Sequence, residues 1–253
     1  MELGPDVLVV LPAFNEARSV ASVVEEVLTA APKVHVLVVD DGSADSTAAL
    51  ARAAGAEVVV NVFNLGVGGA MRVGFRYGVA HGYRALAQVD ADGQHDPRDL
   101  PRLLDRLQDG PAPQVVIGAR FAGEGEFRAP LARRLAMRLL ARYLSHRTHV
   151  HLTDVTSGYR AHNRAAMELF ARTYPANYLA DTVESLVIVT DAGGTVTQVP
   201  VSMRSRLGGA PSQSTIRAAI YLVQVTLMLA LSILRRRSNR SARSIRDDTE
   251  EVP

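Results

Sequence analysis

The amino-acid sequence predicts an α/β protein in which helices flank a mostly parallel sheet. Short apolar runs alternate with segments whose apolar residues recur at helical spacing, and this alternation continues through residues 7–117. Strands that alternate with helices favour a parallel sheet with right-handed crossovers. The chain has 253 residues, of which 47% are hydrophobic, so it can form one large domain or two small ones.

Each element of this alternation has its own local signal. The apolar run Val7–Leu11 predicts the first strand, and valines and a leucine at helical spacing within residues 20–28 predict the first helix. Asp45 or Ser46 can cap the second helix, and Asp96-Pro97 can open a later one. Further strands are expected at 34–39, 57–60, 84–89, 114–117 and 195–201. One further helix is expected to begin near residue 45 and another to end near residue 82, and two more are expected over 96–107 and 130–146.

The composition excludes several classes of protein. The chain has no cysteine, which excludes disulfides, thiol catalysis and cysteine metal sites. Its formal net charge is only +2, so nothing in the charge balance predicts a nucleic-acid partner. The N-terminus carries Glu2 and Asp6 and no basic stretch, so no signal peptide is expected. These features favour a cytoplasmic protein.

Polar residues follow three of the predicted strands. The first strand runs into Pro12–Glu16, the second into Asp40–Ser43 and the fourth into Asp90–His95. Because ligands of an open parallel sheet bind outside the carboxyl ends of the strands, these three segments are expected to line one cleft.

The third of these segments contains a candidate metal site. Asp90 and Asp92 are two residues apart, so an extended backbone would point both carboxylates the same way, and the amide oxygen of Gln94 can serve as a neutral third ligand. Oxygen ligands of this kind suit Mg²⁺ or Mn²⁺, which take further ligands from a substrate's phosphates. The pattern therefore predicts a diphosphate clamp, and a solvated acidic turn is the alternative.

Six short motifs occur in order within residues 5–212. They are Pro12–Glu16, Asp40–Ser43, Asn64–Gly66, Asp90–His95, Gly118–Phe121 and Thr153–Arg160. In this order they resemble a family-2 glycosyltransferase of the GT-A fold, and most closely the branch of dolichol-phosphate mannosyltransferases and bacterial polyprenyl-phosphate glycosyltransferases. The resemblance implies a nucleotide-diphospho-sugar transferase domain over residues 1–212.

The resemblance also implies a reaction. It is the transfer of a hexose, with inversion, from a GDP- or UDP-sugar to a polyprenyl phosphate, with Mg²⁺ or Mn²⁺ as cofactor. A soluble family-2 enzyme with a hydroxyl acceptor is the first alternative. A non-catalytic protein that binds sugar nucleotides is the second, and the intact acidic motif at Asp90 and Asp92 argues against it.

By resemblance, the donor side of the cleft uses residues from the early motifs. Asp92 and Gln94 are assigned to the metal, and Asp90 to the donor ribose or the metal. Helix capping is the alternative role for the pair Asn15-Glu16. Gly66 and Gly68 open a helix whose N–H groups can meet a phosphate, with backbone packing as the alternative. The full donor set is Pro12, Ala13, Asn15, Glu16, Asp41, Gly66, Gly68 and Asp90.

The acceptor side is assigned to residues of the later motifs, because the rigid fork of an arginine fits a phosphate. Surface salt bridges are the alternative role for each arginine. The late loop departs from the family, since no lysine follows Gly209. The acceptor set is Arg120, Asp154, Ser157, Arg160, Arg204 and Arg206.

Asp181 and Glu184 are the remaining catalytic candidates, alongside Asp90 and Asp92. A hydroxyl acceptor needs a carboxylate as general base, whereas a phosphate acceptor is already an anionic nucleophile. A purely structural place in a helix is the alternative for both residues.

The C-terminal region predicts contact with a membrane or a partner. Residues 218–234 carry no charge, but seventeen residues is the lower limit for a membrane-spanning helix. A span with Arg235–Arg237 in the cytoplasm would place the catalytic domain outside, away from sugar nucleotides. A helix over 213–237 is therefore expected to lie in the membrane interface or against another copy of the chain. Arg134, Arg138 and Arg142 form a basic stripe on an earlier helix, and residues 238–253 are expected to be disordered. Together these features predict a peripheral protein at the inner face of the cell membrane.

Overall fold

The computed structural model describes residues 6–108, 112–120, 131–175 and 181–206, with side chains from residue 138 onward in the third range. Within these residues seven strands form one sheet in the order β3-β2-β1-β4-β6-β5-β7. The strands are β1 (Val7–Ala13), β2 (His35–Asp40), β3 (Glu57–Val60), β4 (Ala85–Gln88), β5 (Val115–Arg120), β6 (Arg160–Asn163) and β7 (Val196–Val201). The helices are α1 (Val20–Ala30), α2 (Thr47–Ala53), α3 (Gly66–Ala80), α4 (Leu100–Arg106), α5 (Leu131–Thr148), α6 (Arg164–Thr173) and α7 (Asp181–Asp191), and a 3-10 turn at Pro97–Asp99 precedes α4.

Strands β1, β2 and β4 are apolar because both faces of the sheet are covered. β1 pairs in parallel with β2 on one side and with β4 on the other. Nearly every residue of these strands is buried, as expected for a parallel sheet between two layers of helices. The three strands end at the same edge of the sheet, so the segments that follow them are neighbours.

Helix α3 approaches the sheet closely because it carries glycines on its inner face. A Cβ atom on Gly74 would lie 2.7 Å from Val10, and one on Gly78 would lie 2.6 Å from the sulfur of Met167. Small residues at these positions allow the helix backbone to approach β1 and α6. This close packing fixes the start of α3 near the carboxyl end of β2.

Strand β6 brings the second half of the chain to the same edge. It runs antiparallel to both β4 and β5, with Arg160 paired to Gln88 of β4 and Ile117 of β5. The start of β6 therefore lies beside the carboxyl ends of its two neighbours. The segment that leads into it, residues 153–159, is consequently placed next to the polar segments of the first half.

The predicted α/β architecture with a mostly parallel sheet is confirmed, and only β6 runs against the other strands. The sequence pattern missed β6 and α6, because Arg160–Asn163 contains one apolar residue and gives no strand signal. Most described residues form one compact unit, and residues 131–136 of α5 belong to a second unit that otherwise lies outside the described ranges.

The predicted C-terminal helical attachment at 213–237 and the tail at 238–253 lie outside the described residues. In the part of the chain that the structure describes, no helix is both long and apolar enough to cross a membrane.

Candidate active site

The two aspartates of the acidic motif lie in a turn and not on a strand. β4 ends at Gln88, so the prediction that strand alternation aligns Asp90 and Asp92 is wrong. The main-chain N–H of Gln94 instead donates to Oδ1 of Asp92 at 2.9 Å, and this bond shapes the turn. Burial, together with the nearby charge of Asp90, raises the pKa of Asp92. The two carboxylates are therefore close enough for their charges to interact.

Asp90 is held by side chains and by one glycine. Its Oδ1 accepts a hydrogen bond from the side-chain amide of Gln88 at 3.1 Å. Its main-chain N–H donates to Nδ1 of His95 at 3.0 Å. A Cβ atom on Gly158 would lie 3.3 Å from both carboxylate oxygens. A larger residue at this position would force the carboxylate to move, so the glycine leaves the space that Asp90 occupies.

Arg206 reaches the acidic turn from the far end of the described chain. Its Nη2 donates to Oδ2 of Asp92 at 2.6 Å, and its Nη1 lies 3.6 Å from Oε1 of Glu16. The approach is fixed by main-chain contacts, because His95 forms a bridge with Met203. A residue assigned from the sequence to the acceptor side thus contacts two residues assigned to the donor side.

Arg204 is two residues away from Arg206 but has different partners. Its guanidinium donates to Oδ1 of Asp96 at 2.6 Å and also pairs with Glu26 on α1. Hydrogen bonds from Arg98, and then from Arg204, hold the pKa of Asp96 at about 2 despite its burial. Arg204 therefore ties the late segment to α1 and to the turn before α4.

The turns after β1 and β2 are joined to each other by side chains. Asn15 has a positive φ of 55°, a conformation that asparagine tolerates better than most residues. Its main-chain N–H donates to Oγ of Ser43, and its side-chain Oδ1 accepts the N–H of Ala44, both at 2.9 Å. Because α1 begins at Val20, Asn15 clamps two turns together and does not cap the helix.

Glu16 and the residues before it lie close to this clamp. The main-chain N–H of Glu16 donates to Oγ1 of Thr47 at 2.9 Å, and burial raises the pKa of its carboxyl group. Pro12 and Ala13 are the last two residues of β1, and Ala13 pairs with Asp40. The first motif is therefore built into the edge of the sheet and presents the Glu16 carboxyl group to Arg206.

Asp41 caps helix α3 with its carboxylate. Its oxygens accept the N–H groups of Leu65 at 2.9 Å and Gly66 at 2.7 Å, and the side-chain amide of Asn61 at 2.8 Å. A carboxylate at a helix N-terminus is favourable because the macrodipole is positive there. The N–H of Gly66 is therefore already bound, and Gly68, in the first turn of the helix, is buried. This geometry favours the packing and capping roles over direct phosphate binding.

Arg120 and Asp154 form a bidentate ion pair. Nε and Nη2 of Arg120 donate to the two oxygens of Asp154 at 2.5 and 2.9 Å, and Nη2 also donates to Thr156. Burial opposes ionisation of Asp154, but its hydrogen bonds with Arg120 still lower its pKa. The side chain of Arg120 remains 40% exposed, so this arginine can meet a ligand without losing Asp154.

Arg160 is buried, and it binds two backbone carbonyl oxygens and a serine hydroxyl. It donates to the carbonyl oxygen of Ser157 at 2.8 Å, to that of Val155 at 2.9 Å and to Oγ of Ser185 at 2.9 Å. Only 1% of Arg160 is exposed. It therefore shapes the segment before β6, whereas the predicted contact with an acceptor phosphate has no direct support in this geometry.

Asp181 and Glu184 lie in the first turn of α7. Burial raises the pKa of Asp181 to about 6, and the charge of Arg160 opposes this rise. Burial also raises the pKa of Glu184. Asp181 is 4% exposed. Both residues are thus part of a helix, as the structural alternative expects, and Asp181 belongs to the buried surroundings of Arg160.

The carboxylates of Asp90 and Asp92 are the groups of the acidic turn that would hold a divalent cation. Burial of Asp92, and then the nearby charge of Asp90, disfavour ionisation of Asp92 by raising its pKa. The guanidinium of Arg206 now supplies positive charge there. Among the described residues, no cluster of three or more acidic or histidine side chains forms a complete metal site. A divalent cation at this turn would therefore need ligands beyond the carboxylates of Asp90 and Asp92.

Several residues of the site were not identified from the sequence. Gln88 and His95 hold Asp90, Gly158 gives it space, and Glu26 anchors Arg204. His95 belongs to the motif Asp90–His95, but no pattern in the neighbouring residues indicates which group its ring contacts.

Comparisons with known proteins identify the family of this chain. The family model "Glycosyl transferase family 2" matches residues 8–170. The chain is 34% identical to a polyprenol monophosphomannose synthase of Mycolicibacterium smegmatis over 85% of this chain and 84% of that protein. It is 36% identical to an undecaprenyl-phosphate mannosyltransferase of Micrococcus luteus over 62% of this chain and 65% of that protein.

The fold is also that of solved glycosyltransferases. A structure of glucosyl-3-phosphoglycerate synthase from Mycobacterium tuberculosis with Mn²⁺, UDP-glucose and phosphoglyceric acid is 26% identical, with a TM-score of 0.63, covering 81% of this chain and 72% of that one. Another structure of that enzyme, 24% identical, has a TM-score of 0.67 over 87% of this chain and 77% of that one, and it supports the GT-A fold alone. The chain belongs to glycosyl transferase family 2 and is a glycosyltransferase.

Proposed function

We propose that this enzyme transfers a hexose from a nucleotide diphosphate sugar to a polyprenyl phosphate, with inversion and with the help of a divalent cation. One observation carries the proposal. The acidic turn at Asp90 and Asp92 and the basic segment at Arg204–Arg206 meet at the carboxyl edge of the sheet, through the ion pair between Asp92 and Arg206. The carboxylates could hold a cation against the diphosphate of the donor, and the arginines could bind the phosphate of the acceptor.

Donor binding is assigned to the first half of the chain. Asp90 and Asp92 would hold Mg²⁺ or Mn²⁺ together with Gln94, and the cation would neutralise charge on the departing diphosphate. Glu16 and the clamp at Asn15 lie at the same edge, where carboxylate and amide oxygens can accept hydrogen bonds from ribose or base. The Mn²⁺ and UDP-glucose bound to the M. tuberculosis relative support this assignment.

Acceptor binding is assigned to arginines of the second half. Arg206 is 26% exposed at its side chain and Arg120 is 40% exposed, so both can turn a guanidinium towards a phosphate. The names of the two curated relatives point to a polyprenyl acceptor. A phosphate oxygen is already an anion, so this reaction needs no general base. Arg160 and Ser157 would stabilise the segment before β6, residues 153–159, through the hydrogen bonds that they make inside it.

A hydroxyl acceptor is the competing proposal. Asp181 favours it, because a buried carboxyl group with a pKa of about 6 is suited to accept a proton near neutral pH. Its burial argues against it, since 4% exposure leaves little room for contact with an acceptor. Glu184 lies in the same first turn of α7 and is the second candidate for this role.

The site of action would be the inner face of the cell membrane. Arg138, Leu139 and Arg142 are exposed on α5, which gives the helix a basic surface with an apolar side chain. The apolar segment 213–237 remains the main candidate for contact with the membrane or with a second copy of the chain. Both roles stay predictions.

The deciding experiment is a transfer assay with two donors and two acceptor classes. Radiolabelled GDP-mannose and UDP-glucose would be offered to the full chain with liposomes that contain a polyprenyl phosphate, or with soluble hydroxyl acceptors. We expect label in the lipid phase with one donor, in a reaction that EDTA stops. Transfer only to soluble hydroxyl compounds would refute the lipid acceptor. Transfer to lipid in EDTA would refute the role of the metal.

A further inference from the structure

The imidazole of His95 contacts the main chain of Asp90, the first residue of the acidic pair. Its Nδ1 accepts the N–H of Asp90 at 3.0 Å, so the proton of the neutral ring lies on Nε2. Nε2 lies 3.7 Å from Oδ2 of the same aspartate. One ring thus faces both the backbone and the carboxylate of Asp90.

The ring of His95 has little freedom to turn. It stacks on the ring of Tyr159, with centroids 4.7 Å apart and an angle of 17° between the planes. The hydroxyl of Tyr159 in turn donates to the carbonyl oxygen of Asp96 at 3.0 Å. His95 is 3% exposed and its main chain forms a bridge with Met203. The orientation of the ring is therefore set by the body of the protein.

The acidic turn needs such a contact because the sheet no longer supports it. The last main-chain bond between this segment and β1 joins the N–H of Val89 to the carbonyl oxygen of Val10. The next N–H, that of Asp90, is bound by His95 instead. The direction in which Asp90 leaves the sheet is consequently determined by a side chain.

We propose that His95 is a positioning residue that holds Asp90 in the orientation required to bind a divalent cation, through the hydrogen bond that Nδ1 accepts. The inference rests on the proposed function, since it assigns the cation to Asp90 and Asp92. It differs from a packing role because it depends on one acceptor atom and not on the ring. Groups that orient metal ligands typically change metal affinity by about 10- to 100-fold when they are removed.

Two variants separate the acceptor atom from the ring. His95→Asn keeps an acceptor at the position of Nδ1 and loses the stacking on Tyr159. His95→Phe keeps the ring and loses the acceptor. His146→Phe is the matched control, because His146 is an exposed histidine near the end of α5. Mn²⁺ would be titrated into each full-length protein by calorimetry and by electron paramagnetic resonance, alone and with UDP or GDP, at a temperature where thermal melts show every variant folded.

We expect His95→Phe to bind Mn²⁺ at least ~10-fold more weakly than the wild type, and His95→Asn to stay within ~3-fold of it. Equal affinities in all proteins would overturn the inference, and so would equal losses in both His95 variants. If the wild type bound no Mn²⁺ with either nucleotide, the proposed metal role would fail first, and the inference with it. If the wild type bound Mn²⁺ but His95→Phe did not bind it more weakly than His95→Asn, the inference alone would fail.

Discussion

Two of the arginine–aspartate clusters among the described residues differ in what the arginine contacts. In the outer cluster, Arg206 pairs with the carboxylates of Asp92 and Glu16, and its side chain is 26% exposed. In the inner cluster, Arg160 is 1% exposed, and it donates to two carbonyl oxygens and a serine hydroxyl beside Asp181. The arginine of the outer cluster is thus accessible to solvent and can change its partners, whereas the arginine of the inner cluster is enclosed by the partners that it binds.

The comparison shows that a raised pKa does not by itself identify an active-site carboxylate. Burial raises the pKa of both Asp92 and Asp181. What separates them is the partner. Asp92 faces a partly exposed arginine, which we propose a cation replaces, whereas Asp181 faces a buried arginine that also binds backbone carbonyl oxygens. We therefore expect changes in the inner cluster to alter stability and changes in the outer cluster to alter activity.

The largest expected effect is the loss of the inner arginine. Arg160→Met leaves two carbonyl oxygens and the charge of Asp181 without their buried partner, and losses of this kind cost about 3–5 kcal/mol. Chemical denaturation would measure the fall in free energy of unfolding. Arg172→Met is the control, because Arg172 is exposed on α6 and its loss should cost less than about 0.5 kcal/mol. Equal, small effects of the two substitutions would contradict a structural role for Arg160.

The second effect concerns Asp181 and pH. Its pKa in the folded protein is about 6, above the ordinary 3.8, so the folded state binds this proton more tightly than the unfolded state. Stability from this group is therefore lost as pH rises from about 4 to about 6, by roughly 3 kcal/mol in total. Asp181→Asn should remove that loss, so the variant should keep more of its pH 4 stability at pH 7 than the wild type does.

Unfolding curves between pH 4 and 7 would test this prediction. Asp105→Asn, an exposed change on α4, serves as the control and should leave the slope of stability against pH unchanged. If the curves of the wild type and Asp181→Asn run parallel, Asp181 does not titrate in this range, and the inner cluster is ionised throughout.

The third effect belongs to the outer cluster. Asp92→Asn removes a carboxylate that should hold the cation in the transition state, so activity should fall at least ~100-fold, the scale of one strong electrostatic contact. Stability should change little or rise, because burial already disfavours the ionised carboxylate. Steady-state kinetics beside thermal melts would separate the two outcomes. Turnover that survives both this substitution and EDTA would exclude the metal assignment.

Much of the first half of the molecule was predictable from the sequence, and the reason is local. Apolar periodicity located every strand from β1 to β5, and strand β3 was placed at its observed residues, 57–60. The acidic motif was recognisable because Asp90 and Asp92 lie two residues apart directly after an apolar run. These features depend on neighbours along the chain, which a sequence displays directly.

The contacts that define the two clusters were not predictable in this way. Arg206 and Asp92 are 114 residues apart, and no local pattern encodes their meeting. Arginine is among the residues most often exposed, so the burial of Arg160 ran against expectation. Strand β6, which places Arg160, has too few apolar residues to be recognised. Long-range pairing and the burial of charge thus come from the fold and not from local periodicity.

The smallest expected effect tests whether the arginine of the outer cluster is exchangeable. Arg206→Ala removes a positive charge from Asp92, so Mn²⁺ should bind roughly 10-fold more tightly in the absence of nucleotide, after allowing for solvent screening. The acceptor KM should rise ~10-fold or more if Arg206 also meets the acceptor phosphate. Arg204→Ala is the matched control, because its partners are Glu26 and Asp96, and it should leave Mn²⁺ affinity unchanged.

Calorimetry with Mn²⁺ and acceptor kinetics on the same two variants give a clear decision. Tighter metal binding with weaker acceptor use, in Arg206→Ala only, would mean that one guanidinium balances the acidic pair before the cation arrives and serves the acceptor afterwards. A loss of donor affinity as large as the loss of acceptor use would instead place Arg206 at the diphosphate. Unchanged Mn²⁺ affinity would mean that the ion pair with Asp92 does not compete with a cation. Arg206 would then have a structural role, as Arg160 has in the inner cluster.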